Sequence, residues 1–279
     1  MTKLTTRAYK KGTIFVEDFA LEDVSEYVKD KSNTVWIDFL SPKHKDLVAL
    51  AEELDLHELA VEDALHAHQR PKVDYYESHL FLACHAVSMN KDDGTLAISE
   101  INAFVKGNCL ITVRKDEAFS IESVFARWNL IPQNGVNVSF LLYGLLDVVI
   151  DGYLDILLEF DDYYDEIGES IFEESDIDLM HQKEWFNMRR SLVQFHRLII
   201  SMREAVNILM RREHNVISDE MLPYFHDVYD HIIRASESTD TLRDIVSTII
   251  DTNITLRDYR QNQIMKNVTS WAAIIAIPT

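Results

Sequence analysis

Two adjacent carboxylates, Glu62 and Asp63, lie in a segment rich in histidine, "LHELAVEDALHAHQRPK". Carboxylates of this kind suit Mg²⁺, a small hard cation that keeps much of its water and is usually held by one or two acidic side chains. Taken alone, however, two neighbouring acids most often form an ordinary solvated helix surface. The metal interpretation therefore requires a further acid from elsewhere.

Histidines offer a rival chemistry, that of a soluble metalloenzyme. The chain has eleven, but it contains no HExxH motif, P-loop or GxGxxG. His66 and His68 are close in sequence, yet no third ligand can be named. His226 and His231 are five residues apart and share a helix face poorly. Because neither a nucleophile nor a general base can be named, we predict that the chain is not an enzyme.

The strongly acidic composition limits which molecules the chain can bind. The formal charge of the 279 residues is −20, so the bulk surface repels nucleic acid and anionic lipid and leaves cations as the natural small partners. The bland alternative is that acidity only keeps the protein soluble. Cys84 and Cys109 have no metal-ligand spacing and should be reduced thiols in strands. The N-terminus, "MTKLTTRAYK", lacks the apolar core of a signal peptide, so a cytoplasmic location is expected.

The first part of the chain mixes strands and helices. "TVWIDFL" (34–40) predicts a buried strand, and Ser41-Pro42 predicts an N-cap and first-turn proline for the helix that follows. "KVDYYESHLFLACHAVSM" (72–89) predicts one long strand. "TLAISEINAFVKGNCLITVRK" (95–115) predicts a hairpin that turns at Gly107. These patterns indicate an α/β or α+β domain to about residue 135.

The second part is built for long helices, since none of the seven glycines lies beyond residue 168. Heptad spacing predicts three coiled-coil-like helices. The last would run from about Pro223 to Ile277, about 80 Å at ~1.5 Å per residue. The predicted seams are Leu157, Phe160, Tyr164, Ile167 and Ile171; Met188, Leu192, Phe195, Ile199, Met202, Val206 and Leu209; and Phe225, Val228, Ile232, Ala235, Thr239, Leu242, Val246 and Ile249.

Charge is distributed unevenly along these helices. Residues 151–180 contain twelve Asp or Glu and no Lys or Arg. Such a segment forms either a solvated helix face or a surface that collects hydrated divalent cations. Near the C-terminus, Arg257, Arg260 and Lys266 precede an uncharged apolar tail, as the positive-inside rule expects of a helix that enters a membrane from the cytoplasm. The tail itself is too short to span a bilayer. We therefore expect a transmembrane helix truncated by the end of the sequence.

Four separated motifs, in the same order, resemble the CorA magnesium-transport channels. They are "VEDALHAHQRPKVDYYESHLFL" (61–82), "PYFHDVYDH" (223–231), "LRDIVSTIID" (242–251) and "NQIMKNVTSWAAIIAIPT" (262–279). The resemblance implies an α+β fold in three parts: an αβα sandwich domain (1–135), a long-helix funnel (136–266) and the start of the first transmembrane helix (267–279). The family's Gly-Met-Asn signature and second span would follow Thr279 and are absent from the sequence.

Roles for individual residues follow from the same resemblance. It implies that Asp63 faces Asp227 of a neighbouring subunit across a regulatory Mg²⁺, with Glu62 and Asp147 contributing to a second nearby site. The resemblance also implies that three residues of the last helix line the pore of the full-length homopentamer: Asn262, Met265 and Thr279.

Together these observations predict the cytoplasmic Mg²⁺-sensing and gating domain of an inner-membrane channel. Mg²⁺ would be both regulator and cargo, with Co²⁺ or Ni²⁺ possible in vitro. One alternative is the zinc-transporting branch of the superfamily. The other is an acidic, soluble coiled-coil scaffold that forms homo-oligomers without a metal role.

Overall fold

The computed structural model describes residues 3–66, 69–130, 136–170, 179–211 and 216–276. Seven strands form one sheet: β1 (Lys3–Lys10), β2 (Thr13–Glu17), β3 (Asn33–Leu40), β4 (Lys72–Tyr75), β5 (Leu80–Asn90), β6 (Thr95–Lys106) and β7 (Cys109–Arg114). The α-helices are α1 (Val24–Lys29), α2 (His44–Glu53), α3 (Glu58–Leu65), α4 (Ile121–Leu130), α5 (Val138–Ser170), α6 (Leu179–Leu209) and α7 (Leu222–Ala276).

The sheet has the order β2-β1-β3-β7-β6-β5-β4. β3 and β7 at its centre run parallel, and the other neighbouring pairs are antiparallel. All eight residues of β3 are buried, because helices cover both faces of the sheet. Alternation along β3 sends Trp36 into the core on one face, and Val35 and Ile37 into the core on the other.

The two helical layers complete the predicted αβα architecture. Helices α1 to α3 pack on one face, where Leu47, Leu50 and Val61 fill the core. Helices α4 to α7 pack on the opposite face in a larger, continuous core that includes Leu146 and Phe195. The α+β fold class is therefore confirmed. As a consequence, α3 and α7 are separated by the sheet.

The prediction of a single strand over residues 72–89 is wrong in one respect. It is divided into β4 and β5, which turn back on each other and pair with Tyr75 opposite Leu80. The amide of Tyr76 donates to the carbonyl of His79 across 2.9 Å, and the two rings stack with their centroids 4.9 Å apart. The turn is thus closed by a local backbone bond and by ring stacking, which hydrophobic periodicity does not register.

The start of α2 also differs from the prediction. The helix begins at His44 with Lys43 at its N-cap, so Ser41 is not its cap and Pro42 does not occupy its first turn. Ser41 has a positive φ of 50°, and its hydroxyl donates to the carbonyl of Lys115 across 2.6 Å. This serine therefore ties the end of β3 to the end of β7. The hairpin turn at Gly107, with φ 57°, is where the sequence predicts it.

The heptad seams of α6 and α7 are buried as predicted, and so are Leu157, Phe160 and Tyr164 on α5. Ile167, in the same α5 seam, is half-buried against the core. Ile171 lies outside the described residues. Helix α7 has 55 residues and packs against both α5 and α6. Ile249 is the last buried residue of its seam, and Leu256 is half-buried against the same core. Every described side chain from Arg257 to Ile274 is exposed. Among the described residues, no helix combines the length and apolarity needed to cross a membrane.

Candidate functional site

Asp63 lies on α3 at the edge of the sheet, where β4 begins. Lys72 Nζ lies 2.6 Å from Asp63 Oδ2 and 2.8 Å from Asp74 Oδ2. Burial by itself would lower the pKa of Lys72, but its hydrogen bonds to the two aspartates outweigh this effect and raise the pKa. Asp63 is therefore already paired with a cation of its own chain, and 26% of its side chain remains exposed.

Glu62, next to Asp63, faces a different environment. Its side chain is 61% exposed, and its Oε1 lies 3.8 Å from Nδ1 of His66 one turn later. It lines a cleft of about 700 Å³ between α2 and α3, together with Glu58 and His44. Successive helix residues point about 100° apart, so the two neighbouring acids do not converge on one point within the chain.

Asp147 lies on α5 and its side chain is only 6% exposed. Arg127 on α4 brings its Nε within 2.9 Å of Asp147 Oδ2 and also bonds Asp151. The side chain of Tyr143, one turn earlier on α5, also hydrogen-bonds Asp147. Burial raises the pKa of Asp147, Arg127 lowers it and Asp151 raises it, with a net increase. Burial thus outweighs the pairing with Arg127, so a further cation beside this carboxylate would favour its charged form.

Asp227 lies near the start of α7, with 59% of its side chain exposed and Oδ2 3.9 Å from Nε2 of His231. It acts electrostatically on Tyr143 of α5, whose ring lies 5.3 Å from that of Tyr224. The pKa of Tyr143 is raised to about 12, mainly by burial, then by Asp147, with a smaller contribution from Asp227. The structure thus brings Asp147 and Asp227 to the same region of the α5–α7 layer.

The four acids consequently form two separate pairs. Glu62 and Asp63 belong to the layer containing α3, while Asp147 and Asp227 belong to the layer on the other side of the sheet. Within the described ranges, no three His, Cys, Asp or Glu side chains are grouped so that they could hold a metal ion. Direct contact between Asp63 and Asp227 would therefore need a second copy of the chain.

The residues that the resemblance assigns to the pore lie on the exposed end of α7. Asn262 and Met265 both point to solvent, and Met265 is 60% exposed. Thr279 lies outside the described residues. An apolar group shares this exposure: Ile264, Met265, Val268, Trp271 and Ile274 are each 59–65% exposed. Apolar side chains exposed together along a helix mark an interaction surface.

Sequence reasoning missed four residues that set the electrostatics of these sites: Lys72, Asp74, Arg127 and Asp151. Lys72 neutralises Asp63, and Arg127 is shared between Asp147 and Asp151. Two signals were available in the sequence. Lys72 and Asp74 alternate along a strand and so share one side, and Asp151 follows Asp147 by four residues, one helical turn. The position of Arg127 follows from tertiary packing alone.

Residues 31–279 match the CorA-like Mg²⁺ transporter protein family. The chain belongs to the CorA family. A curated relative, the cobalt/magnesium transport protein CorA of Thermotoga maritima, is 29% identical over 262 residues, which cover 92% of this chain and 74% of the relative. Membership places the chain among divalent-cation transporters, in agreement with the resemblance.

Solved structures share the fold. The soluble domain of CorA from Methanocaldococcus jannaschii superimposes with a TM-score of 0.73 at 20% identity, covering 91% of this chain and 97% of that domain. The ZntB cytoplasmic domain from Vibrio parahaemolyticus superimposes with a TM-score of 0.63 at 17% identity, covering 81% of this chain and 88% of that domain. At these identities the likeness concerns the fold alone.

Proposed function

We propose that this CorA-family chain is the cytoplasmic Mg²⁺-sensing part of a divalent-cation channel in the cell membrane. The observation that carries the proposal is the end of α7, where every described side chain from Arg257 to Ile274 is exposed. An isolated helical end with this many exposed apolar groups is marginal in water, since most helical stability comes from packing. Copies of the same helix around a pore, and lipid beyond them, would supply the missing partners.

The charges on this helix support the same orientation. Arg257, Arg260 and Lys266 precede an uncharged stretch that begins at Asn267. Positive residues before an apolar stretch are typical of the cytoplasmic side of a membrane helix. In this arrangement, residues 267–279 begin the first span, and Asn262, Met265 and Thr279 line the pore.

The regulatory metal would lie between copies. Asp63 of one copy and Asp227 of the next would approach as two carboxylates, which repel each other unless a cation lies between them. Both side chains are partly exposed, so they remain accessible to a hydrated ion. Glu62 and Asp147 would supply a second site nearby. Because only differential affinity shifts a conformational equilibrium, bound Mg²⁺ would favour the assembly in which these acids are close.

Ligand chemistry favours magnesium over zinc. The four proposed ligands are all carboxylates, and oxygen ligands suit Mg²⁺, whereas zinc sites typically draw on histidine or cysteine. Cys84 and Cys109 are both fully buried in strands, so neither thiol is accessible to a hydrated ion. We propose Mg²⁺ as regulator and cargo, with Co²⁺ also carried, as the name of the Thermotoga relative states for that protein.

The test compares Asp227→Asn with Asp244→Asn. Both residues are exposed acids of α7, so the two variants lose the same charge from the same helix. We expect Mg²⁺ to protect the parent chain and the Asp244→Asn variant from proteolysis and to stabilise their assembly. Asp227→Asn should respond much more weakly.

Equal protection of both variants would refute the sensing role. An assembly indifferent to Mg²⁺ and to chelator in the parent chain would instead favour the acidic scaffold. A metal response to Zn²⁺ but not to Mg²⁺ would point to the zinc-transporting branch.

A further inference from the structure

Helix α6 carries a second apolar stripe on its outer face, distinct from its buried seam. Phe186, Val193 and Ile200 are 63%, 38% and 40% exposed, respectively. They are seven residues apart, and this spacing places them on one helix face, as in a coiled-coil seam. We call these three residues the outer stripe of α6. A stripe with this period is suited to packing against another helix.

Arginines surround the outer stripe. Arg189 and Arg190 lie between its first two members, three and four residues after Phe186, and Arg197 lies four residues after Val193. All three arginines are exposed, and none forms an ion pair with the described residues of its own chain. In a chain of net charge −20, this is a local basic face.

Helix α5 presents the complementary face. Leu158 is 63% exposed, and acids lie three residues before it and four, seven and eleven residues after it. We call this set the acidic face of α5: Asp155, Leu158, Asp162, Asp165 and Glu169. Its four acids are exposed and form no ion pair within the described ranges. It thus combines an apolar centre with charge opposite to that of the outer stripe.

The two faces cannot meet within one copy. Helices α5 and α6 pack against each other through their inner sides, where Tyr153 and Phe160 both contact Phe195. Their outer faces therefore point to solvent. We propose that the outer stripe of α6 docks on the acidic face of α5 in a second copy of the chain. The contact is heterologous, and such contacts form rings when the rotation between copies closes.

The position of the stripe agrees with the arrangement proposed for the metal. Arg197 and Ile200 line a cleft of about 690 Å³ together with Arg70 and Pro71, which follow α3 in the sequence. The outer stripe therefore lies near the segment that follows α3, and α3 is the helix that carries Asp63. On the neighbouring copy, α5 carries both Asp147 and the acidic face. To this extent the inference rests on the proposed function, although the contact itself uses none of the four metal-site acids.

Cross-linking tests the contact directly. Cys84 and Cys109 are fully buried, and burial raises the pKa of both thiols to about 12, so neither should react in the folded chain. Val193→Cys and Leu158→Cys chains carrying different tags are co-expressed and treated with a short bis-maleimide. We expect cross-linked products that contain both tags, and none when Val193→Cys is paired with Lys31→Cys, an exposed control on the far side of the sheet.

Two outcomes would overturn the inference. Cross-linking of Val193→Cys only to itself would mean that like faces meet, and absence of a mixed product in an oligomeric sample would mean that the faces do not meet. In a second arm, Arg189→Glu with Arg190→Glu should weaken assembly about 10-fold, as expected for reversing two rim charges. Repeating the cross-link with Asp227→Asn separates the two proposals, because loss of the Mg²⁺ response should leave the helix contact intact.

Discussion

Replacing Lys72 by methionine tests whether Asp63 is a metal ligand. Lys72 Nζ lies 2.6 Å from Asp63 Oδ2, so in the free chain the ammonium occupies the position that a cation would take. Methionine keeps an unbranched apolar side chain beside Phe81, whose ring centroid lies 5.6 Å from Nζ. We therefore expect Lys72→Met to bind Mg²⁺ more tightly than the parent chain without loss of the fold.

The size of the gain follows from two contributions. An ammonium about 6 Å from Mg²⁺ repels it by about 1.4 kcal/mol in water, and physiological salt reduces this to about 0.7 kcal/mol. Freeing Asp63 from a partly exposed ion pair adds about 0.5 kcal/mol. The sum of about 1.2 kcal/mol corresponds to roughly an eightfold lower Kd for Mg²⁺.

Calorimetric titration with Mg²⁺ measures this change, and protease protection gives an independent readout. The matched control is Lys10→Met, which removes a lysine paired with Asp30 at 3.1 Å on β1, away from β4 in the sheet. Adding Asp63→Asn to Lys72→Met should abolish the gain. If Lys72→Met binds Mg²⁺ no more tightly than Lys10→Met, Asp63 is not a ligand and the proposed bridge is wrong.

Three further substitutions test packing and electrostatics. Gly144→Ala would place Cβ within 2.5 Å of the Trp128 indole and should lower the free energy of unfolding by about 1–3 kcal/mol. Gly168→Ala has open space around the new Cβ and should raise the free energy of unfolding by about 0.5–1 kcal/mol. Denaturant titration measures both changes. Because burial raises the pKa of Asp147, its charged form destabilises the fold above that pKa. Asp147→Asn should therefore be at least as stable as the parent at pH 7 without divalent ions, and the gap should close as pH falls toward about 4; an unchanged gap across this range would contradict the assignment.

Local patterns in the sequence predicted the features of the fold that depend on residue spacing along the chain, namely helix seams, one turn and the burial of a strand. The seams of α6 and α7 were readable because their period of 3.5 residues is fixed by helix geometry, and the turn at Gly107 because it requires a positive φ. Burial of β3 followed from its continuous run of β-branched and aromatic residues. These features hold in any fold that forms the same elements.

Contacts between segments distant in sequence could not be predicted in the same way. The pairing of β1 with β3 joins Lys3 to Leu40, and nothing in either segment specifies the other. The site shows the same limit. Asp63 was singled out as a solvated acid or a metal ligand, but its pairing with Lys72 depends on where α3 meets the sheet edge. Likewise, the burial of Asp147 is set by the packing of α4 on α5.

The length of α7 gives the proposed sensor a physical means of acting at a distance. Asp227 and Met265 lie on one uninterrupted helix, about 57 Å apart at ~1.5 Å per residue. The fully buried part of its seam ends at Ile249, Leu256 is half-buried against the same core, and every described side chain from Arg257 to Ile274 is exposed. A tilt of about 5° at Asp227 would therefore displace Met265 by roughly 5 Å. Since an apolar constriction gates by dewetting, a metal ion that altered only the spacing between copies at Asp227 would, in the proposed channel, change the width of the pore at Met265.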